Sequence, residues 1–283
     1  MASLGQSERR QERLMRNIML LAHRDRGQDA RVRVAVDLVR ALNGHLTCLD
    51  IAIIPESVAD YATVGGEALL LADEERSEGF NRADLKAWLN REAVPFDWQD
   101  WTGELEPSIR HAAALADLIV VNRRLDTARY PDMLDLAGRL IVDDALPVVA
   151  VPQDARKFRA TGNALIGWDG SPCAVAALRA AVPLLALAGS VTLLYVDDGS
   201  IKVPMDAAAR YLAWHGITAT MREERILTDP AGTVLLAEAA SGHADYLVMG
   251  GFGHSRLAEA VFGGVTREML THCPIPLFLA HRG

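Results

Sequence analysis

Short, unbroken apolar runs alternate with amphipathic stretches along the chain, and the alternation is written twice. The first round opens with Ile18-Met19-Leu20-Leu21-Ala22 after Asn17, the second with Ala164-Leu165-Ile166-Gly167 after Asn163. Each opening run is followed by a polar turn and a helix-like stretch, Val32 to Leu42 and Ala174 to Leu187. A glycine, Gly44 or Gly189, then leads into a second apolar run, Leu46 to Asp50 or Val191 to Asp197. The later runs correspond as well: Ala116 to Val121 matches Ala244 to Met249, and Leu146 to Val151 matches Ile275 to Ala280. Continuous apolar runs of this length are what parallel strands covered on both faces require. Stretches such as Leu85, Trp88 and Leu89, spaced i, i+3, i+4, suit the crossover helices between them. Strand–helix alternation of this kind predicts an α/β fold with a doubly wound, mostly parallel sheet, here two domains in tandem.

The predicted domains are 1–152 and 163–283, separated by the polar stretch Pro152 to Gly162. The first carries a longer insertion, Pro55 to Ala93, with two helix-like pieces, Glu67 to Asp73 and Asn81 to Asn90. The second is expected to cover that distance with one shorter helix near Asp206 to His215. A length of 283 residues fits two domains of ordinary size. Half the residues are apolar, ample for packed cores. The net charge of −8 argues against non-specific nucleic-acid or anionic-membrane binding, since both need basic surface. Cys48, Cys173 and Cys273 are too few and too scattered for a disulfide framework or zinc site, so buried free thiols are expected. The charged first residues lack a secretory apolar stretch, and no run is long enough to span a bilayer. The expected location is the cytoplasm.

Candidate chemistry concentrates in Met249 to Thr266. Gly250, Gly251 and Gly253 follow a predicted strand, and Gly263-Gly264 precede a predicted helix, Val265 to Thr271. Glycine at a strand end lets the backbone turn sharply and approach a ligand. Glycines at a helix start leave N–H groups unobstructed, where the helix dipole also favours an anion. This loop is not a Walker A sequence and lacks its lysine, and it is not the G-x-G-x-x-G of dinucleotide sites. Asp169-Gly170-Ser171-Pro172 has a plain structural reading beside any binding role, because Asp and Ser cap helices and Pro suits the first turn. An exposed loop charge is the plainer reading of His254 and Arg256. His243, His272 and His281 show no metal spacing and no evident partner, and no carboxylates form a recognisable acid/base pair.

The spacing Gly250-x2-Gly253-x9-Gly263 resembles the nucleotide loop of the universal stress protein family. Trp168-Asp169-Gly170-Ser171 resembles that family's D-G-S element after the first strand, and Tyr195-Val196-Asp197 its second-strand end. The resemblance implies the adenine-nucleotide α-hydrolase-like fold, with ATP as ligand and magnesium as the usual companion of a triphosphate. It places Asp169 and the backbone near Trp168 and Val196 around the adenosine. Met249, Gly250 and Gly253 would line the ribose and phosphates, and Gly263, Gly264 and Val265 would offer amides to the phosphate tail. Gly264 stands where ATP-binding members carry Ser or Thr. The missing hydroxyl is worth about 0.5–1.5 kcal/mol as one hydrogen bond.

The first half has Asn122-Arg123-Arg124 at the corresponding loop, Leu134-Asp135 near the later glycine position, and His23 in place of Asp169. It is expected to be structural or regulatory. The resemblance further implies intramolecular pairing through the last strands, Val148 to Val151 and Leu277 to Ala280, with homodimerisation open. The function expected is a nucleotide-dependent stress regulator with protein partners not specified by the sequence. A ligand-free tandem scaffold is the alternative, and an ATP-using enzyme, at most a slow hydrolase, a more distant one.

Overall fold

Every apolar run above is satisfied inside one sheet. The computed structural model describes residues 15–53, 66–123, 138–142, 145–197, 203–225, 231–252 and 264–282. The first half runs β1 (Asn17–Leu21), α1 (Gln28–Leu42), β2 (His45–Ile53), α2 (Gly66–Glu92), β3 (Phe96–Gly103), α3 (Leu105–Ala112), β4 (Leu118–Asn122), α4 (138–142) and β5 (Val148–Val151). The second half repeats it as β6 (Asn163–Trp168), α5 (Pro172–Leu185), β7 (Ser190–Asp197), α6 (Met205–Trp214), β8 (Ala219–Arg225), α7 (Ala231–Ala240), β9 (Tyr246–Gly250), α8 (Gly264–His272) and β10 (Leu277–Ala280). The strands form a ten-stranded sheet in the order β3-β2-β1-β4-β5-β10-β9-β6-β7-β8. All neighbours are parallel except β5 and β10, which pair antiparallel with Phe278 opposite Val149. The two halves are therefore joined through their last strands, at the edge the sequence resemblance implied.

Side chains alternate across the sheet because successive strand residues point to opposite faces. Ile18, Leu20, Ala164, Ile166 and Trp168 pack with residues of α1, α2, α5 and α6. Met19, Leu21, Leu165, Leu247 and Met249 pack on the other face with α3, α4, α7 and α8. β5 and β10 are buried along their whole lengths, so the junction between halves is continuous core.

The duplication extends to single hydrogen bonds. Asp117 Oδ2 accepts the Asn17 amide at 2.8 Å, and Asp245 Oδ2 accepts the Asn163 amide at 2.8 Å. In return, the Asp117 and Asp245 amides donate to the carbonyls of Asn17 and Asn163, each at 2.8 Å. One carboxylate thus brackets the amino ends of the first and fourth strands in both halves. The connecting stretch is also anchored: the Phe158 amide donates to Asp37 Oδ2 on α1 at 2.8 Å. Its ring lies 5.0 Å from that of Tyr246 on β9.

Two features depart from the pattern-based reading. The insertion's two predicted pieces are a single 27-residue helix, α2. Its polar middle resembles a break, yet an exposed glycine such as Gly79 costs a helix only about 1 kcal/mol. β3 and β8, the sheet's edges, have no apolar run to announce them: β8 reads Ala-Thr-Met-Arg-Glu-Glu-Arg. An edge strand pairs on one side only and tolerates charge, which also discourages edge-to-edge association.

Candidate functional site

From β6 the second half builds β7 and β8 to one side, then returns to place β9 and β10 on the other. The carboxyl ends of β6 and β9 therefore flank a topological switch point, where open α/β sheets leave a crevice. Trp168 and Asp169 end β6, Val196 lies one strand away on β7, and Met249 and Gly250 close β9. Gly264 and Val265 open α8. The Phe252 amide donates to Thr266 Oγ1, 3.2 Å away, so the loop leaving β9 and the first turn of α8 face each other. Those of the expected residues that the structure describes thus lie at the carboxyl ends of β6, β7 and β9 and at the start of α8. Gly253 and Gly263 lie outside the described residues.

Each of these positions also has a structural duty. Asp169 is exposed, and its Oδ1 accepts the Ser171 amide at 2.9 Å. Ser171 caps α5 by accepting the Ala174 amide at 3.1 Å, and Pro172 fills the first helical position. The capping reading of the Asp-Gly-Ser-Pro element therefore holds, and the exposure of Asp169 is compatible with a binding role beside it. The Trp168 side chain is buried, and its indole N–H donates to Val203 O at 3.1 Å. Val203 N–H in turn donates to Gly170 O at 3.1 Å, strapping that segment over the end of β6. Trp168 and Met249 accordingly offer only backbone to a ligand, their side chains being core. Gly250 is small for packing as well as for access. A Cβ there would lie 2.6 Å from both Ala174 N and Cys173 C. Gly264 is different: it is exposed, and apart from its own neighbours in the chain none of the described residues comes within 4 Å of where a Cβ would stand.

A family model of the universal stress protein family matches residues 161–281. The second half of the chain belongs to that family. No curated protein matches the sequence. Among solved structures, a universal stress protein from Archaeoglobus fulgidus DSM 4304 is similar over 94% of this chain and 96% of its own, with 13% identity and a TM-score of 0.74. A functionally unknown protein from Pseudomonas aeruginosa PAO1 is similar over 97% and 95% of the two chains, with 16% identity and a TM-score of 0.61. Identities this low establish a shared fold across both halves, and no more.

Beside the universal stress domain, the first half fills its own corresponding crevice with side chains. Arg31, in the first turn of α1, is wholly buried. Its Nε donates to Leu21 O at 2.6 Å, its Nη2 to His23 O at 2.7 Å, and its Nη1 to Asp25 Oδ2 at 2.9 Å and to Asn122 Oδ1. Leu21 and His23 end β1, and Asn122 ends β4, so the guanidinium spans the first half's switch point. Glycine is exchanged between the facing elements of the two halves. In the first half Gly27 precedes the helix, and a Cβ there would run into the Asn122 side chain. In the universal stress domain the strand supplies Gly250 and the helix supplies Cys173. The expectation that this half lacks a site rested on its loop; Arg31 is the part sequence reasoning missed. An arginine four residues into a helix looks like ordinary surface charge until the fold turns it inward.

The buried thiols expected from the sequence are present, whereas His281 departs from its expectation. All three cysteines are buried and free. Burial pushes the Cys48 thiol up to about 12 and raises that of Cys273. Arg123 is half-buried rather than solvated, and its charge offsets part of the Cys273 shift across the junction of the halves. His281, which showed no partner in the sequence, has two. His254, Arg256, Arg124, Leu134 and Asp135 lie outside the described residues. Among the described residues no three of His, Cys, Asp and Glu come together as a metal-binding group, and no helix is long and apolar enough to cross a membrane.

Proposed function

We propose that the chain is a tandem of two domains, 1–152 and 163–283, of which the second binds ATP or a related adenine nucleotide and the first does not. Nucleotide occupancy regulates which proteins the tandem associates with. The observation that carries the reading is the Phe252–Thr266 hydrogen bond of 3.2 Å, which brings the turn after β9 and the start of α8 together at the switch point. Amides at a helix start are ready donors to phosphate oxygens. Those of Gly264 and Val265 lie where, among the described residues, no side chain beyond the chain neighbours comes within 4 Å of a Cβ placed on Gly264. Asp169, with the backbone of Trp168 and Val196, would hold the adenosine. Met249, Gly250 and Gly253 would flank the ribose and phosphates, and Gly263 would complete the phosphate turn. Magnesium would arrive with the triphosphate.

Thermal unfolding of the full chain with ATP, ADP and AMP, each with and without magnesium, tests this. A ligand at a hundred times its dissociation constant stabilises the folded state by about 2.7 kcal/mol. No shift at millimolar concentration of any of the three removes the nucleotide reading. Gly264→Ser supplies a hydroxyl at the start of α8 and should tighten ATP binding by a few-fold, for a hydrogen bond of about 0.5–1.5 kcal/mol.

The scaffold reading keeps one specific support: Asp169 and Gly250 already serve the start of α5, and so are accounted for without a ligand. Native mass spectrometry of gently purified protein separates the two readings by retained nucleotide mass. The same spectrum reports whether two chains associate.

A further inference from the structure

The peptide unit between Gly251 and Phe252 is gripped at both ends by side chains from distant parts of the chain. Its carbonyl accepts a hydrogen bond from His281 Nδ1, 2.9 Å away, just beyond β10. Its amide donates to Thr266 Oγ1 on α8. One residue earlier, the Gly251 amide donates to Ala280 O at 2.9 Å. Phe252 itself stands at φ 55°, in the left-handed region that a bulky side chain occupies only where its surroundings hold it. Ile141 of α4 closes the other side, with its Cγ2 3.3 Å from where a Gly251 Cβ would lie.

A carbonyl oxygen can only accept, so the imidazole must carry its proton on Nδ1. The same nitrogen lies 3.1 Å from Cys173 Sγ, in the first turn of α5. Because Nδ1 carries a single proton and no free lone pair, the sulfur can join only as a second acceptor of the same N–H. His281 therefore ties together three parts of the crevice: the end of β10, the turn after β9 and the start of α5.

We propose that His281 is a positioning residue for the phosphate-binding start of α8. It fixes the Gly251–Phe252 peptide, whose amide holds Thr266 Oγ1, and through that bond sets where the Gly264 and Val265 amides that open α8 stand toward a phosphate group. The proposal rests on the nucleotide reading above and names the residue that sets the geometry of that site. Chemistry supplies the test, because an asparagine amide nitrogen stands at the same number of bonds from the backbone as Nδ1, whereas that of glutamine stands one bond farther. ATP affinity of the full chain is measured by calorimetry for wild type and for His281→Ala, His281→Asn and His281→Gln. Hydrogen exchange over 248–252 and 264–268 is followed in the same proteins without nucleotide.

His281→Ala should weaken ATP about tenfold, the effect of leaving one buried hydrogen-bonding group unpaired. His281→Asn should recover most of the affinity and His281→Gln little of it. Exchange should quicken in the alanine variant and return toward wild type in the asparagine variant. Equal ATP affinity in wild type and His281→Ala, or exchange unchanged by the alanine, overturns the positioning role while leaving the nucleotide reading intact. Failure of wild type to bind ATP removes the nucleotide reading itself, and the positioning role with it. If the alanine variant does not fold, equal affinity in the asparagine and glutamine variants overturns the proposal.

Discussion

Adding one methyl group at Gly250 tests how the universal stress domain is assembled. The alanine Cβ would lie 2.6 Å from Ala174 N and Cys173 C and 2.9 Å from Cys173 Cβ, all in the first turn of α5. Ordinary carbon contacts begin near 3.5 Å, so the obstruction approaches 1 Å and consists mostly of backbone. That turn cannot easily yield, because Ser171 caps it and Cys173 Sγ lies against His281. Overpacking of this kind costs about 1–3 kcal/mol. Alanine recovers about 0.4–1 kcal/mol by restricting the unfolded chain. The net expectation is a loss of about 1–2 kcal/mol. Equilibrium urea unfolding followed by circular dichroism reads this directly, as a lower midpoint with unchanged slope. Gly264→Ala is the control, since apart from its own chain neighbours none of the described residues comes within 4 Å of that Cβ, and its stability should stay within about 0.5 kcal/mol of wild type. A Gly250→Ala protein as stable as wild type would falsify the packing of α5 on β9. A stable variant that had lost ATP binding would return Gly250 to a purely ligand-facing role.

The remaining expectations concern buried polar groups. Arg31→Met leaves Asp25, whose side chain is only 1% exposed, without its cation, and should destabilise the chain by about 3–5 kcal/mol in the same urea assay. A loss below 1 kcal/mol would mean that the first crevice is not closed in this way. Tyr246 is fully buried, and among the described residues its hydroxyl finds no hydrogen-bond partner. Tyr246→Phe should therefore be neutral or slightly stabilising, whereas a loss above about 1 kcal/mol would reveal an unrecognised partner. The Cys48 thiol, ordinarily near 9, is held at about 12 by burial, so between those values the unfolded state has released a proton that the folded state retains. Stability from this group is complete below pH 9 and falls as pH rises from 9 toward 12. Cys48→Ala should flatten that part of the stability–pH curve, and folded wild type should leave Cys48 unreactive toward thiol reagents near pH 8.

The sequence by itself determined the architecture, because burial on both faces of a parallel sheet forces continuous apolar runs. Those at Ile18, Leu46, Leu118 and Val148 and their counterparts at Ala164, Val191, Tyr246 and Leu277 are legible without coordinates. The cap at Asp169-Gly170-Ser171 was equally legible, since it depends on neighbours in the chain. The edge strands β3 and β8 were not, because a strand paired on one side carries too little apolar burden to mark itself.

Only the tertiary structure showed what fills the first half's crevice. Arg31 is 91 residues from Asn122, and His281 is 30 from Gly251, yet each pair meets within hydrogen-bonding distance. The exchange of glycine between helix and strand, Gly27 facing Asn122 in one half and Gly250 facing Cys173 in the other, is likewise visible only once the elements touch. Local pattern encodes what each segment must bury. Where two segments compete for the same few ångströms, the outcome belongs to contacts that the linear order does not record.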